Sequence, residues 1–221
     1  MQCRSGRLHT VSAAPFAVPA QRQPPQCPPC LRVTLAMLLA VPCISAAQET
    51  AFDIDPGASY VDFATRKLGF WSITGRFSGV SGQLRLDPEH WDSAHLDVRV
   101  ATQTLKTQDP VWQRRLTSEE CLDVKRFPEL TFHSTSVRRT GPHTADVVGD
   151  LTLHGVTREV VLSGEVRPGT EQSSAPFSKI LIDASTHIRR SDFAMTAFRP
   201  LVSDHTEVRI ELTAVAHGAA P

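Results

Sequence analysis

From Tyr60 onward the chain alternates apolar and polar residues with a period of two, and this constrains its fold more than any other feature. Such a period places successive side chains on opposite faces of an extended strand, the mark of a sheet with one buried face. Residues 60–66 put Val61, Phe63 and Thr65 on one face, and residues 95–100 set Leu96, Val98 and Val100 against three polar residues. Residues 83–87, 130–138, 146–153, 156–166, 179–188 and 207–215 behave likewise, which makes about eight strands. Turn-forming residues separate them at 79–82, Asp87-Pro88, Gly141-Pro142, His154-Gly155 and 167–169. Strands of this length joined by short turns predict an all-β fold, an eight-stranded antiparallel sheet closed into a barrel. Closure also removes the exposed edges through which sheets aggregate.

Residues 109–123 break the alternation. Asp109-Pro110 is a helix start, with Pro at the first helical position. The expectation is a short helix or ordered loop at one mouth of the barrel, presenting Trp112 beside Arg114 and Arg115.

The inward faces of the strands carry Val61, Phe63, Phe77, Leu84, Leu86, Leu96, Val98, Val100, Leu151, Leu153, Val160, Leu162, Ile210 and Leu212. An eight-stranded barrel is just wide enough to be filled by such side chains or to hold one small ligand. Spacing does not choose between these. By the same alternation Lys67 points inward at the end of its strand, where its ammonium must snorkel to the mouth or meet an anion.

The first 47 residues read differently. They contain no Asp or Glu, and Arg32 is followed by the apolar run Val33 to Val41, a Pro and the small-residue ending Ser45-Ala46-Ala47. That order matches a secretory signal, with cleavage expected after Ala47 and a single domain over residues 48–221. Of 23 basic and 23 acidic residues, the four arginines before position 48 leave 19 against 23 in the domain, a net charge of −4. This argues against a broad nucleic-acid surface. No stretch reaches the roughly 20 apolar residues of a membrane-spanning helix. Four of the five cysteines also precede position 48, so Cys121 has no intramolecular disulfide partner. It is either a reactive thiol or a small apolar packing group.

Signals for chemistry are weak. Ser185, His187 and Asp192 lie close in sequence, but no nucleophile elbow or Gly-rich oxyanion segment accompanies them. The histidines show no metal-ligand spacing. The expectation is a protein without catalytic residues, metal or cofactor.

From Phe52 onward the chain resembles the YceI-like family of periplasmic polyisoprenoid-binding proteins. The resemblance rests on Phe52-Asp53-Ile54-Asp55-Pro56, Gly75-Arg76-Phe77-Ser78-Gly79, Phe127-Pro128-Glu129-Leu130-Thr131-Phe132, Gly149-Asp150-Leu151-Thr152-Leu153-His154-Gly155-Val156-Thr157-Arg158 and Arg190-Ser191-Asp192-Phe193. Taken in order these segments span essentially the whole domain. The resemblance implies a lipocalin-like barrel whose apolar interior holds a polyisoprenoid lipid, either a polyprenyl phosphate or a polyprenylated quinone, in the periplasm. It implies a carrier, in which the mouth residues read above, Lys67, Trp112, Arg114 and Arg115, are expected to meet the head group, with transient membrane contact and a homodimer both compatible. The alternatives are an accessory protein that presents quinone to a membrane redox enzyme, or a filled barrel without ligand. This chain carries Lys67 where the family usually has His.

Overall fold

The computed structural model describes residues 49–87, 90–169 and 178–217, so the expected leader lies outside the described residues. The described residues form strands β1 (Thr50–Ile54), β2 (Tyr60–Lys67), β3 (Trp71–Phe77), β4 (Val80–Leu86), β5 (His95–Ala101), β6 (Lys106–Thr107), β7 (Glu129–Arg139), β8 (Thr144–Leu153), β9 (Val156–Pro168), β10 (Lys179–Arg189) and β11 (Val202–Ala216). The helix α1 spans Pro110–Thr117.

Eight of these strands close a ring, every pairing antiparallel, in the order β1, β4, β5, β7, β8, β9, β10, β11 and back to β1. The long β11 changes partner along its length. Its last residues, Ala214 to Ala216, pair with β1, whereas Thr206 to Glu211 pair with β2. From β2 a wing runs through β3 to β6.

Local chemistry explains the joints. At the β8–β9 turn, His154 and Gly155 both take positive φ, 52° and 75°, as the tight turn of a two-residue hairpin requires. The turn expected at residues 79–82 is shorter than its composition suggested, because Val80, Ser81 and Gly82 already pair with β5. β3 escaped the periodicity because Gly75 occupies one of its inward positions. A Cβ there would stand 2.5 Å from the Phe63 ring, so the glycine makes room for that side chain.

The barrel has a solid floor and a covered end. Phe52, Ile54, Leu84, Leu86, Ala94, Ile180 and Ala214 are buried around the β1 end and form the floor. At the opposite end lie α1, residues 121–122 and the segment after β10.

Candidate functional site

Above the floor the barrel encloses a cavity of about 190 Å³. Protein interiors contain few voids larger than one water molecule. At ~10–15 Å³ per water-sized sphere, this one holds on the order of a dozen water-sized groups. It is therefore a built space and not a packing defect.

Twelve of the fourteen residues expected to face inward line it: Val61, Phe63, Phe77, Leu96, Val98, Val100, Leu151, Leu153, Val160, Leu162, Ile210 and Leu212. Leu84 and Leu86 do not. They are buried in the floor, opposite Phe52 and Thr50 of β1, where the Phe52 side chain is packed into the core. Further wall comes from β7, β9 and β10, with Leu130, Phe132, Val166 and Ile182 among its residues.

Five wall residues are polar: Thr65, Thr131, Thr186, Thr206 and Arg190. Three of the threonines form a patch across neighbouring strands. Thr65 lies opposite Thr206 in the β2–β11 ladder, Thr206 lies opposite Ile188 in the β10–β11 ladder, and Thr186 is two residues before Ile188. The Thr65 hydroxyl lies within hydrogen-bond reach of the carbonyls of Ser203 and His205. The Thr206 hydroxyl is buried and has no hydrogen-bond partner.

Arg190 continues the same inward series, two residues beyond Ile188, and is only 7% exposed. Its guanidinium donates to the carbonyls of Ala197 at 2.8 Å and Ser203 at 3.4 Å. Cys121 shares this end of the wall and is 2% exposed. Burial pushes its thiol up, more than the nearby Arg190 charge pulls it down. At neutral pH it is a protonated packing group.

The covering segment is pinned from several sides. Asp109 caps α1 by accepting from the Val111 amide at 2.8 Å, with Pro110 at the first helical position. Ser191 donates to Asp204 twice, from its amide at 2.9 Å and its hydroxyl at 2.6 Å. These bonds hold the Asp204 carboxyl below the usual carboxylate range.

The four expected mouth residues separate. Trp112 packs edge-on against Phe198, with ring centres 5.8 Å apart. The Lys67 ammonium lies 5.3 Å from the Trp112 ring centre, and the Arg115 guanidinium lies 5.4 Å from it. Lys67 is not on the cavity wall; its charge rests on an aromatic face outside it. Arg114 does not join this group. Trp112 and Arg115 are three apart and share a helix face, while Arg114 projects roughly 200° around the axis from Trp112. It borders a surface hollow with Glu119, Glu120 and Asp123.

Ser185 and His187 are exposed on β10 and share a surface hollow with Asp192, but the Asp192 carboxylate is held by Arg189 at 3.0 Å and no hydrogen bond links the three among the described residues.

Comparison with known proteins agrees with this architecture. The chain is similar to a UPF0312 protein of Pseudomonas savastanoi, 37% identical over 131 residues, which is 58% of this chain and 68% of the relative. A UPF0312 protein of Pseudomonas fluorescens is 34% identical over 177 residues, covering 74% of this chain and 87% of the relative. Among solved structures, Burkholderia cenocepacia BcnA superposes with a TM-score of 0.65 at 20% identity, over 73% of this chain and 99% of that one. A polyisoprenoid binding domain from Saccharophagus degradans gives 0.60 at 19% identity, over 76% and 99%. Residues 52–214 match the model of the YceI-like domain, from the first strand of the ring to the last, and the chain belongs to the YceI-like family.

Proposed function

We propose that this protein is a periplasmic carrier that holds the tail of a polyisoprenoid lipid in the barrel, with no chemistry of its own. The observation that carries the reading is the cavity: an apolar wall whose hydrogen-bonding groups gather mainly toward the covered end. An apolar tail below and an acceptor-bearing head near Arg190 and Thr206 satisfy both parts of that wall. The structural neighbour from Saccharophagus degradans is a polyisoprenoid binding domain, which supports the same ligand class.

The magnitudes are consistent. On the order of a dozen buried carbons at about 0.8 kcal/mol each supply about 10 kcal/mol. Micromolar binding corresponds to about 8 kcal/mol, so tail burial alone supports useful affinity after part is lost to chain ordering. A longer tail must push wall side chains aside or leave the cavity.

The test is organic extraction and mass spectrometry of protein purified from the periplasm, beside Val98→Trp, which fills the cavity from the middle of β5. Wild type is expected to release a polyisoprenoid species and the variant none. The variant should stay folded at a cost of about 1–3 kcal/mol for overpacking. An empty wild type, or equal lipid in both, would refute the reading.

A further inference from the structure

Among the described residues six large apolar side chains are exposed, and four of them sit together, Leu68, Phe70, Trp71 and Leu201, while Val111 borders the hollow that holds Glu119, Glu120 and Asp123. Phe70 is 72% exposed and Trp71 64%. The four belong to two chain segments that meet at the covered end, beside α1. The Leu68 amide donates to the Leu201 carbonyl at 2.8 Å, joining the β2–β3 turn to the segment before β11. Lys67 rests on Trp112 of α1, the neighbour of Val111, and Trp112 packs on Phe198. The Phe70 and Trp71 rings lie 5.6 Å apart at the tip. Exposed apolar groups gathered in one place mark an interaction site, whereas isolated ones do not.

The charges around this patch identify its partner. Residues 66–72, 110–117 and 196–203 contain Arg66, Lys67, Arg114, Arg115 and Arg199 and no Asp or Glu, although Arg114 lies away from the tip, beside Glu119, Glu120 and Asp123. Yet residues 48–221 as a whole carry four more acidic than basic groups. Arg199 is paired with Asp204 at 3.6 Å, and no ion pair to the other four is present among the described residues. A tip of Leu, Phe and Trp beside Arg66, Lys67 and Arg115, none of them in an ion pair among the described residues, matches an anionic bilayer surface, where acyl chains lie just beneath phosphates. Leu68 sharpens the point. It adopts φ 52° at the turn, a left-handed conformation that Gly or Asn would hold with less strain. An apolar, half-exposed side chain occupies this turn position nonetheless.

We infer that the covered end of the barrel docks on an anionic phospholipid membrane, with Leu68, Phe70 and Trp71 in the interface and Arg66, Lys67 and Arg115 against the phosphates. The contact sets the end of the cavity that carries Arg190 and Thr206 against the bilayer. It does not depend on the barrel being loaded.

Vesicle flotation tests it, with phosphatidylglycerol–phosphatidylethanolamine vesicles against pure phosphatidylcholine. Wild type is expected to float with the anionic vesicles, at least about tenfold more weakly with the neutral ones, and to be released by added salt. Trp71 emission, read with Trp91 and Trp112 replaced by Phe, should shift to the blue on anionic vesicles. Phe70→Ser combined with Trp71→Ser, both outside the cavity wall, should lose flotation while melting as wild type does. Val98→Trp should still float, which separates this inference from the cavity reading. Wild type indifferent to anionic vesicles would overturn it, as would equal flotation of the double variant. A concentration-dependent dimer that the double variant abolishes, with no vesicle binding, would assign the patch to a second copy instead.

Discussion

Thr206 lines the cavity wall, yet its hydroxyl is buried behind that wall and has no partner. An unmade buried hydrogen bond costs about 1–3 kcal/mol, so the empty barrel is less stable at this point than an all-apolar wall would be. A ligand oxygen would complete the bond once its entry turned the Thr206 side chain toward the cavity. The two states therefore respond oppositely to Thr206→Val, which keeps the shape and removes the hydroxyl. The empty variant should melt at or above the wild-type temperature, while its affinity for a lipid with an acceptor head should fall by about 1 kcal/mol. Calorimetric melting and ligand titration check both signs, and equal affinity would show that the hydroxyl meets no ligand. Period-two alternation was enough to place most of the apolar wall. It did not single out Thr206 or Arg190, because both lie just beyond the alternating stretches 207–215 and 179–188. The signal was present, since Thr186, Ile188 and Arg190 are spaced two apart and continue one face of β10 beyond its end.

At the scale of elements, α1 was legible because Asp109 and Pro110 are local start signals that need no tertiary context. The part played by Arg114 was not, since only the helical phase separates it from Arg115. β6 was also missed: two residues are too few to show any period. The segment after β10 is held by two charged groups, Arg190 and Asp204. Asp204 accepts both bonds from Ser191, and its folded pKa lies below the ordinary value of about 3.9. A depressed carboxylate pKa contributes stability that is complete above the unfolded value and lost as pH falls through the folded one. The covered end should therefore loosen in acid, below about pH 4, by more in wild type than in Asp204→Asn. Amide exchange of residues 190–204 measured along a pH series, corrected for intrinsic rates, reads this directly. Identical acid responses in the two proteins would show that Asp204 does not hold the segment.

Across the whole molecule, the sequence predicted eight strands and the ring has eight, but not the same eight. β2 alternates clearly and belongs to the wing, whereas the five-residue β1 closes the ring. Local periodicity reports which residues are extended and which face is buried. It cannot report that residue 54 meets residue 214. That meeting has a consequence for the order of folding. β1 and β11 share only three register pairs, Phe52 with Ala216, Asp53 with Val215 and Ile54 with Ala214, against eleven between β10 and β11. Two flanking bonds extend the seam, from the Asp55 amide to Thr213 and from the His217 amide to Ala51, each 2.8 Å. It joins the two ends of the domain, so its loop-closure entropy is the greatest in the ring and its contacts are few. The β7–β11 meander can form by successive hairpins before that closure, which makes the β1–β11 seam the last to zip and the first to open. Native-state exchange is expected to give the seam amides the lowest opening free energy of any ring ladder, with the β9–β10–β11 amides near the global value. Uniform protection around the ring would mean that it opens only as a whole.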